Sequence, residues 1–384
     1  MTRQQTSNEL QMKRESRGSA KGTVMSDRFQ ASIVVQLLLL LFATWWILLV
    51  GSPAWSQCSA LNARYYGHWF NDTFQSTGPA VFAIDVQGAV ANFDVDMDGS
   101  VFGNANPAAV QFAGSVVGNT ITVNAPALTT FGNLSGSIDC LTGNLAFTIS
   151  MIPVVSFDDV TVTGDIENQA FDVDYQIDAM GLFFASGRME ATVPGTPASD
   201  FEAGDELWRD LSNGARSSGQ VPIGGNPGGF FVVEELSNFE SFVATAPGTF
   251  LGDLSAFDGG TLRFDANAIQ DGGAPSNPAF GTVVITGENA SASLDFDGAG
   301  LPPANTWVTH EMPFTAAAWG VSQGTWDSIL AEVRSLTIEL DSNTVNGEGG
   351  LDNVVLLPEP GTVASLAAAL AALALTRIAR RRAQ

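Results

Sequence analysis

The sequence predicts an all-β protein in which an N-terminal antiparallel β-sheet, barrel-like in form, precedes a C-terminal jelly-roll β-sandwich. A signal peptide is expected in front of these domains and a single transmembrane helix behind them. Three observations lead to this prediction. Glycine is abundant, with 40 residues in 384, short blocks alternate apolar and polar residues, and each end carries an apolar segment beside basic residues. Alternation with a period of two is typical of half-buried strands, and the chain is long enough for two domains.

The first 56 residues have the order of a secretory signal peptide. A basic leader precedes an apolar run at residues 33–50, and a proline and the small-residue site Ala54-Trp55-Ser56 follow it. This order predicts export, with cleavage before Gln57. Two alternatives remain open. The run of 18 residues could persist as an uncleaved anchor, and translation could begin at Met25.

Residues 57–195 make up the predicted N-terminal β domain. Five short blocks in it alternate apolar and polar residues, and glycines separate the blocks, which favours a meandering antiparallel sheet or barrel. The blocks are residues 81–86, 120–123, 145–149, 160–163 and 171–175.

Both cysteines of the chain, Cys58 and Cys140, fall in this domain. Export would place them in an oxidising compartment, where disulfides form and persist. We therefore expect one disulfide, which ties the mature N-terminus to a strand across a long loop. In the chain-entropy account, such a bond stabilises the fold by about 4 kcal/mol.

An acidic segment in the same domain has two interpretations. Asp94-Val95-Asp96-Met97-Asp98-Gly99 has the alternating carboxylates and the glycine of a calcium loop, but Ala105 occupies the twelfth position, where a glutamate belongs. The alternative, which we favour, is a hairpin. In it Phe93, Val95 and Met97 face the core, the aspartates face water and Asp98-Gly99 makes the tight turn.

A linker, Pro194-Gly195-Thr196-Pro197, separates this domain from the second predicted domain, residues 199–356. Short strands and one short helix in the second domain suit a two-sheet jelly roll. The predicted strands include residues 230–233, 260–264, 282–286 and 335–340, and the helix covers residues 325–333.

Landmarks along nearly the whole second domain resemble the laminin B (domain IV) module, a β-sandwich of matrix proteins and of bacterial secreted proteins. They include Ser199-Asp200-Phe201-Glu202, Gly225-Asn226-Pro227-Gly228-Gly229, Phe250-Leu251-Gly252-Asp253-Leu254, Gly259-Gly260-Thr261-Leu262-Arg263-Phe264, Trp307 and Gly350-Leu351-Asp352-Asn353-Val354.

The resemblance departs from laminins in one respect, because no cysteine follows Cys140. It therefore implies the module and not a laminin-like network. In related jelly rolls a structural calcium often joins the first and last strands. The resemblance thus implies Glu202 and Asp352 as calcium ligands, with Asp200 as a third candidate. In the alternative, Asp352 closes a turn and Glu202 is solvated.

Tryptophans of this domain offer a second type of candidate site. Trp307, Trp319 and Trp326, together with Trp208, could form a platform on which a sugar ring stacks. The alternative is that they belong to the core, since each indole buries a large apolar area.

The tail, residues 357–384, combines three parts in a fixed order. Pro358-Glu359-Pro360 precedes a short Ala/Leu-rich helix, and a basic cluster of Arg377, Arg380, Arg381 and Arg382 ends the chain. This order resembles the PEP-CTERM sorting signal of Gram-negative bacteria. The resemblance implies an exosortase that recognises Pro358, Glu359 and Pro360 and releases or transfers the preceding domains toward the outer surface. The arginines imply a cytoplasmic end of the helix.

Charge excludes one class of partner. The net charge is −24, and only six of the 16 lysines and arginines lie between residues 57 and 356. A body so acidic repels phosphates, so we expect no nucleic-acid partner. It attracts divalent cations, and calcium is the expected counter-ion outside a cell. With basic clusters at both ends, the sequence predicts a precursor anchored in the inner membrane and a mature protein at the cell surface.

The sequence predicts a non-catalytic surface or matrix protein. His68 and His310 are the only histidines, and no nucleophile, zinc or phosphate-binding motif is present. No cofactor is required, apart from a possible structural calcium. The expected partners are the Sec export machinery, an exosortase, the inner membrane before processing and extracellular polysaccharide. Two alternatives stay open: a glycan hydrolase with an unrecognised acidic pair, whose mark is the distance between two carboxylates, and a structural spacer.

Overall fold

The computed structural model describes residues 55–361 apart from 102, 154–158, 180–181, 212–217, 235–241, 270–274, 296–302, 343–347 and 360. The all-β prediction is confirmed, with a closed barrel followed by two further sheets. The signal peptide, the C-terminal apolar segment and the terminal arginines lie outside the described residues. Among the described helices, none is both long enough and apolar enough to cross a bilayer.

Ten of the first twelve strands close into an antiparallel barrel with the order β1-β12-β11-β10-β9-β8-β7-β6-β3-β2, while β4 and β5 pair only with each other. The strands are Ala63–Asn71 (β1), Ser76–Gln87 (β2), Val90–Met97 (β3), Ser100–Val101 (β4), Asn104–Ala105 (β5), Val110–Val117 (β6), Thr120–Leu128 (β7), Gly132–Asp139 (β8), Leu145–Ser150 (β9), Asp159–Glu167 (β10), Ala170–Ala179 (β11) and Leu182–Thr192 (β12).

The period-two pattern is the reason that these strands form a barrel with an apolar interior. In β7, Ile121, Val123 and Ala125 are buried while Thr120 and Thr122 are exposed. Successive side chains of a strand point to opposite faces, so one face of the closed sheet collects the apolar residues. The barrel core is therefore made from the inward residues of all ten strands.

The two ends of the barrel differ. At one end the N-terminal segment, a helical turn at Trp55–Cys58 and a 3₁₀ turn at Ser59–Leu61, packs against the barrel core. The predicted disulfide between Cys58 and Cys140 is confirmed, with the two Cα atoms 4.9 Å apart. We call this the disulfide end. The other end carries the turn that contains Phe74, between β1 and β2, and we call it the Phe74 end.

The remaining strands form two sheets, one with the order β15-β16-β23-β18-β21 plus β13 beside β23, and one with the order β14-β17-β22-β19-β20. The strands are Ala198–Ser199 (β13), Arg209–Asp210 (β14), Ser218–Gly225 (β15), Gly228–Glu234 (β16), Val243–Thr245 (β17), Gly260–Ile269 (β18), Thr282–Gly287 (β19), Ser291–Asp295 (β20), Trp307–Phe314 (β21), Val333–Glu339 (β22) and Glu348–Leu357 (β23).

One helix, Gln323–Ala331, and two 3₁₀ turns, Gly248–Phe250 and Ser255–Phe257, complete the described part of the sandwich. The helix begins after Ser322, whose side chain accepts a hydrogen bond from the Thr325 backbone N–H and so caps the first turn. The inner faces of the two sheets bury large aromatic side chains, among them Phe231, Phe264 and Phe314. The two sheets thus enclose a core of their own.

The barrel and the sandwich share a junction on the outer face of β1 and β2. Tyr66 and Val81, which point away from the barrel interior, belong to the apolar core of the sandwich. Ion pairs cross the same junction, with Arg334 of the sandwich 2.7 Å from Asp96 and 3.0 Å from Asp98 of the barrel. Apolar packing and buried charge both hold the two parts together.

The structure corrects the predicted hairpin at Asp98-Gly99. Phe93 and Met97 do face the core, but β3 pairs with β2 and with β6, not with the strand that follows Gly99. Gly99, with a φ of 91°, instead turns the chain into the small β4–β5 hairpin. The carboxylates of Asp96 and Asp98 do not simply face water, because Arg334 binds both of them.

Candidate functional site

A groove on the outer face of the β18–β23 sheet collects most of the chemistry that the sequence pointed to. It encloses about 540 Å³ and is lined by Asp200, Glu206, Asn226, Pro227, Arg263, Asp265 and Asn353, among others. We call it the acidic groove.

Asp265 of β18 lines the groove, and its register partner Asp352 of β23 lies beside it beneath the surface. Both are buried, with 1% and 0% of their surface exposed. The pairing is irregular just before this point, between Arg263 and Asp265, and Asn353 adopts a positive φ of 51°. This bulge is the local feature that brings Asp352 and the Asn353 side chain to the same face.

Hydrogen bonds hold the two carboxylates differently. Asp352 accepts two backbone N–H bonds, from Asn226 at 2.6 Å and from Asn353 at 2.7 Å. Asp265 accepts from the side-chain amides of Asn353 at 2.8 Å and Asn226 at 3.3 Å through Oδ2, whereas its Oδ1 is buried without a donor. A buried carboxylate oxygen without a donor is costly, and it can accept a ligand group.

The tip of the β15–β16 hairpin covers the pair. The tip contains the cis peptide bond Asn226-Pro227 and then Gly228, whose φ is 88°. The positive φ is what favours glycine at this position; a Cβ there would meet only the end of the flexible Glu202 side chain. Trp307 donates its indole N–H to the carbonyl of Gly224 at 2.9 Å and thereby anchors the same tip.

The electrostatics of the carboxylate pair follow from burial and like charge. Burial raises the pKa of Asp352, the backbone N–H donors of Asn226 and Asn353 lower it, and the negative charges of Asp265 and Glu202 raise it further. The net direction is upward. A cation or a hydrogen-bond donor placed in the groove would oppose this repulsion.

The structure brings the three predicted calcium ligands, Glu202, Asp352 and Asp200, into one region. Glu202 lies against Gly228 and influences Asp352, and Asp200 lines the groove while its Oδ1 accepts the Glu202 backbone N–H at 3.2 Å. Within the part of the chain that the structure describes, no three histidine, cysteine or acidic side chains converge closely enough to hold a metal ion. Calcium therefore stays a prediction.

The three tryptophans predicted as a stacking platform do not lie together. Trp319 and Trp326 are 3% and 0% exposed and pack against each other and against Phe314, so neither presents a ring face to solvent. Trp319 and Trp326 are therefore core residues, which was the alternative interpretation. Trp307 differs, because it is only partly buried and lies on the outer face of the sheet, edge-on to Phe230 at 5.3 Å.

Of the sorting motif, Pro358 and Glu359 directly follow β23, while Pro360 and the arginines Arg377, Arg380, Arg381 and Arg382 lie outside the described residues. The structure therefore does not test the motif. Strand β23 ends at Leu357, directly before Pro358, the first residue of the motif.

Sequence reasoning missed Asp265 and the role of Asn226. Asp265 follows the quoted block Leu262-Arg263-Phe264, and its outward position in an alternating strand predicts a solvated carboxylate. Only the hairpin tip, some forty residues earlier in the chain, buries it. The proline after Asn226 was the available signal that this turn has an unusual shape.

Comparisons with known proteins do not identify the site. No protein-family model matches this chain, and no curated protein matches it. Among solved structures, the L4b domain of human laminin α-2 is 13% identical, with 31% of this chain and 71% of the laminin chain covered and a TM-score of 0.27. An exo-β-agarase is 14% identical, with coverages of 43% and 25% and a TM-score of 0.32.

A third structure, domains CD (residues 230–489) of another protein, is 12% identical, with coverages of 62% and 99% and a TM-score of 0.24. At these scores the three likenesses carry no argument about function. The chemistry of the acidic groove therefore rests on its own geometry.

Proposed function

We propose that this chain is a non-catalytic, exported surface protein that an exosortase processes at Pro358, Glu359 and Pro360, and that its sandwich binds extracellular polysaccharide at the acidic groove. The observation that carries the binding proposal is the placement of Trp307. It pairs with Asn267 on β18, two residues from Asp265, so a partly exposed indole and a buried carboxylate share one sheet face.

This combination suits a sugar ring. An indole offers an apolar face for the ring, and carboxylate and amide oxygens accept hydrogen bonds from hydroxyl groups. The groove supplies such acceptors and donors from Asp200, Glu206, Asn353 and Arg263. The hydrogen bond from Trp307 to the Gly224 carbonyl fixes the indole before a ligand binds. Less side-chain conformational entropy is therefore lost on binding.

A neutral polysaccharide is the expected ligand class. The net charge is −24, and acidic side chains outnumber Arg263 in the groove. An anionic polymer would meet repulsion both at long range and within the groove. Neutral hydroxyl-rich chains avoid this cost and can use the acceptors directly.

The accessibility of the carboxylates favours binding over hydrolysis. A general acid must reach the glycosidic oxygen, and two carboxyl groups must flank the scissile bond. Asp352 has the raised pKa of a possible acid, but it has no exposed surface and backbone N–H groups occupy both of its oxygens. We therefore propose that the groove binds its ligand without cleaving it, and that Asp265, whose Oδ1 has no donor, is the carboxylate of the pair that can accept from the ligand.

Calcium enters the proposal as a structural ion. Asp265, Asp352 and Glu202 repel one another, and oxygen-rich carboxylate and amide groups are the ligands that calcium prefers. The buried Asp265 Oδ1 has no donor, so it offers such an ion a ligand atom; Asp352 and Glu202 would have to move toward it, because no three acidic side chains of the described residues converge there. Bound there, calcium would stabilise the hairpin tip beside Trp307.

Binding is tested with the full chain on an array of neutral and acidic polysaccharides, comparing wild type with Trp307→Ala. The matched control is Ile223→Ala, which truncates a 78% exposed apolar side chain on the hairpin that Trp307 anchors. We expect a loss of about fivefold or more in affinity for neutral glycans in Trp307→Ala and none in the control, since stacking is worth about 1 kcal/mol or more. Equal binding by the two variants, or release of sugar by wild type, would contradict the proposal.

Export and processing need a separate test, because they do not depend on the groove. Mass spectrometry of the protein recovered from the cell surface should show an N-terminus at Gln57 and a C-terminus close to Pro358. Replacing Pro358 and Pro360 by alanine should retain the tail. An intact chain with both cysteines reduced would contradict export.

A further inference from the structure

The barrel contains a cavity that the surface-binding role does not use. The cavity encloses about 380 Å³ near the Phe74 end of the barrel. Its lining is chiefly apolar and comes from inward residues of strands around the barrel, including Trp69, Met97, Phe131, Val160, Ile177 and Met189.

A second cavity of about 120 Å³ adjoins the first within the barrel. The two share Met97, Phe131, Ile149, Val162 and Met189 in their linings, so they follow one another inside the barrel. The second cavity is lined by apolar residues throughout. Together they form an elongated apolar space that starts at one end of the barrel.

Polar groups are confined to the Phe74 end of this space. Asn71, Ser76 and Ser100 line only the first cavity, and none of the described residues that line either cavity is charged. Two of the polar groups are already engaged: the Tyr175 hydroxyl donates to the Phe70 carbonyl, and Asn71 Oδ1 accepts the backbone N–H groups of Thr73 and Phe74, which leaves the two serines for a ligand. A ligand would therefore meet hydrogen-bonding groups at one end and apolar side chains along the rest.

The strand number explains why the space exists. Eight strands make a barrel whose interior side chains can fill, or which holds one small ligand, and the diameter grows with each added strand. This barrel has ten strands, and its disulfide end is packed by the N-terminal segment. Apolar cavities of this kind bind apolar molecules without displacing ordered water.

The first cavity reaches the protein surface at Phe74. This residue lines the cavity and yet is 56% exposed, and its ring contacts that of Phe184 at 5.3 Å between centroids. Phe184 is itself 40% exposed. An exposed aromatic pair beside an apolar cavity marks a surface that a hydrophobic ligand can contact first.

We propose that the barrel binds a single linear acyl chain, with the hydrocarbon tail in the two adjoining cavities and the polar head at Ser76 and Ser100. The elongated space matches a flexible linear tail better than a rigid ring system. Met97 and Met189, which line both cavities, can adjust to such a tail because thioether side chains are unbranched and flexible. A charged head group would remain in solvent, since none of the described side chains around the space is charged.

Photo-crosslinking with a diazirine analogue of palmitic acid tests the proposal on the full chain in membranes of expressing cells. Peptide mapping by mass spectrometry should place the label on barrel strands such as Ala63–Asn71 and Leu182–Thr192. Excess palmitic acid should reduce this labelling at least fivefold.

Val160→Phe places a ring in the first cavity, because Val160 is 1% exposed and lines it. We expect labelling of the barrel to fall at least tenfold. The matched control is Thr161→Phe, which carries the same ring on the outward face of the same strand and should label as wild type. Formation of the Cys58–Cys140 disulfide reports folding. If Val160→Phe does not fold, Ile177→Phe with the control Gln176→Phe provides the same comparison.

Three results would overturn the proposal. The first is equal labelling of the barrel in the cavity-filling variant and its control. The second is label confined to residues 33–50 and 362–376. The third is competition by the aromatic probe N-phenyl-1-naphthylamine without competition by palmitic acid, which would assign the cavity to a ring system.

Discussion

His68 lies on the outer face of β1, where the barrel meets the sandwich, and only 9% of its surface is exposed. Together with Glu190, Leu207 and Thr245, it lines a small cavity of about 20 Å³ between the two parts. Burial lowers the pKa of His68 from 6.5 to about 4, because the charged imidazolium loses its hydration there. The side chain is therefore neutral at physiological pH.

This burial makes the stability of the protein depend on pH. Between pH 6.5 and 4 the unfolded chain binds a proton at His68 that the folded chain does not, so stability falls as the pH falls through this window. From pH 7 to pH 5 the free energy of unfolding should drop by about 2 kcal/mol through this residue. Urea denaturation at the two pH values measures the difference.

His68→Gln serves as the reference, because glutamine keeps polar side-chain atoms but does not titrate. The variant should lose most of the pH dependence that wild type shows between pH 7 and pH 5. The same pH dependence in both proteins would show that other groups cause it.

Asp265 permits a second prediction at the level of single residues. Because the pKa of Asp352 is raised in the folded state, ionising this carboxyl group costs stability as the pH rises toward that pKa. The negative charge of Asp265 contributes to the cost. Asp265→Asn removes one charge and keeps an oxygen for the two amides. We expect it to raise the free energy of unfolding at pH 7 in EDTA by about 1 kcal/mol.

A bound calcium ion should likewise offset the repulsion between Asp265 and Asp352 in wild type. Added calcium should therefore raise the melting temperature of wild type and leave that of Asp265→Asn nearly unchanged. Asp85→Asn on the outer face of the barrel is the control, because it removes a charge far from the groove. An equal calcium effect in all three proteins would assign the effect to the acidic surface as a whole.

At the scale of elements, the disulfide fixes the N-terminal segment across one end of the barrel. Cys58 is fully buried and 82 residues from Cys140, so the bond closes a long loop. Replacing both cysteines by serine should lower the free energy of unfolding by about 4 kcal/mol. Thermal melting with and without dithiothreitol measures it, and the reductant should shift wild type but not the variant. An unchanged melting temperature in the variant would contradict this role of the bond.

Strand positions were the part of the fold that the pattern could predict. The five blocks in the first domain all lie within barrel strands β2, β7, β9, β10 and β11, because alternation reports burial of one face. Closure of the barrel depends on the pairing of β1 with β12, whose residues are about 120 positions apart. A local pattern carries no information about such a distant partner.

The acidic groove shows the same limit. Asp352 and Glu202 were candidates through a resemblance, and the structure places them near one another. Asp265 was missed because its burial comes from the tip of a different hairpin, which contains Asn226 and Gly228. Local sequence reports which face a side chain occupies, but it does not report what later covers that face.

At the scale of the whole molecule, the barrel and the sandwich are coupled through Arg334. Its side chain is 6% exposed and lies within 4 Å of carboxylates from both parts, including Asp96, Asp98 and Glu332. Arg334→Met keeps the length of the side chain but removes the charge. We expect a loss of about 3 kcal/mol in the free energy of unfolding, because the carboxylates are left without their cation.

Arg64→Met is the matched control across the same junction. Arg64 pairs with Glu332 at 2.6 Å, but its side chain is 43% exposed, so its removal should cost less than about 1 kcal/mol. Urea denaturation measures both variants. Equal losses, or a smaller loss for Arg334→Met, would show that the buried ion network does not couple the two parts.

Strand β1 belongs to the barrel and also packs against the sandwich, so it can complete its contacts only late in synthesis. The barrel contacts of Tyr65 and Trp69 are complete only after β12 has been synthesised. The ring of Tyr66 is covered later still, by sandwich residues such as Gly252. Sequence separations this long slow folding and leave apolar surface exposed in the nascent chain. A polypeptide that stops at the linker would display Tyr66 and Val81, so the first half should self-associate when it is produced alone.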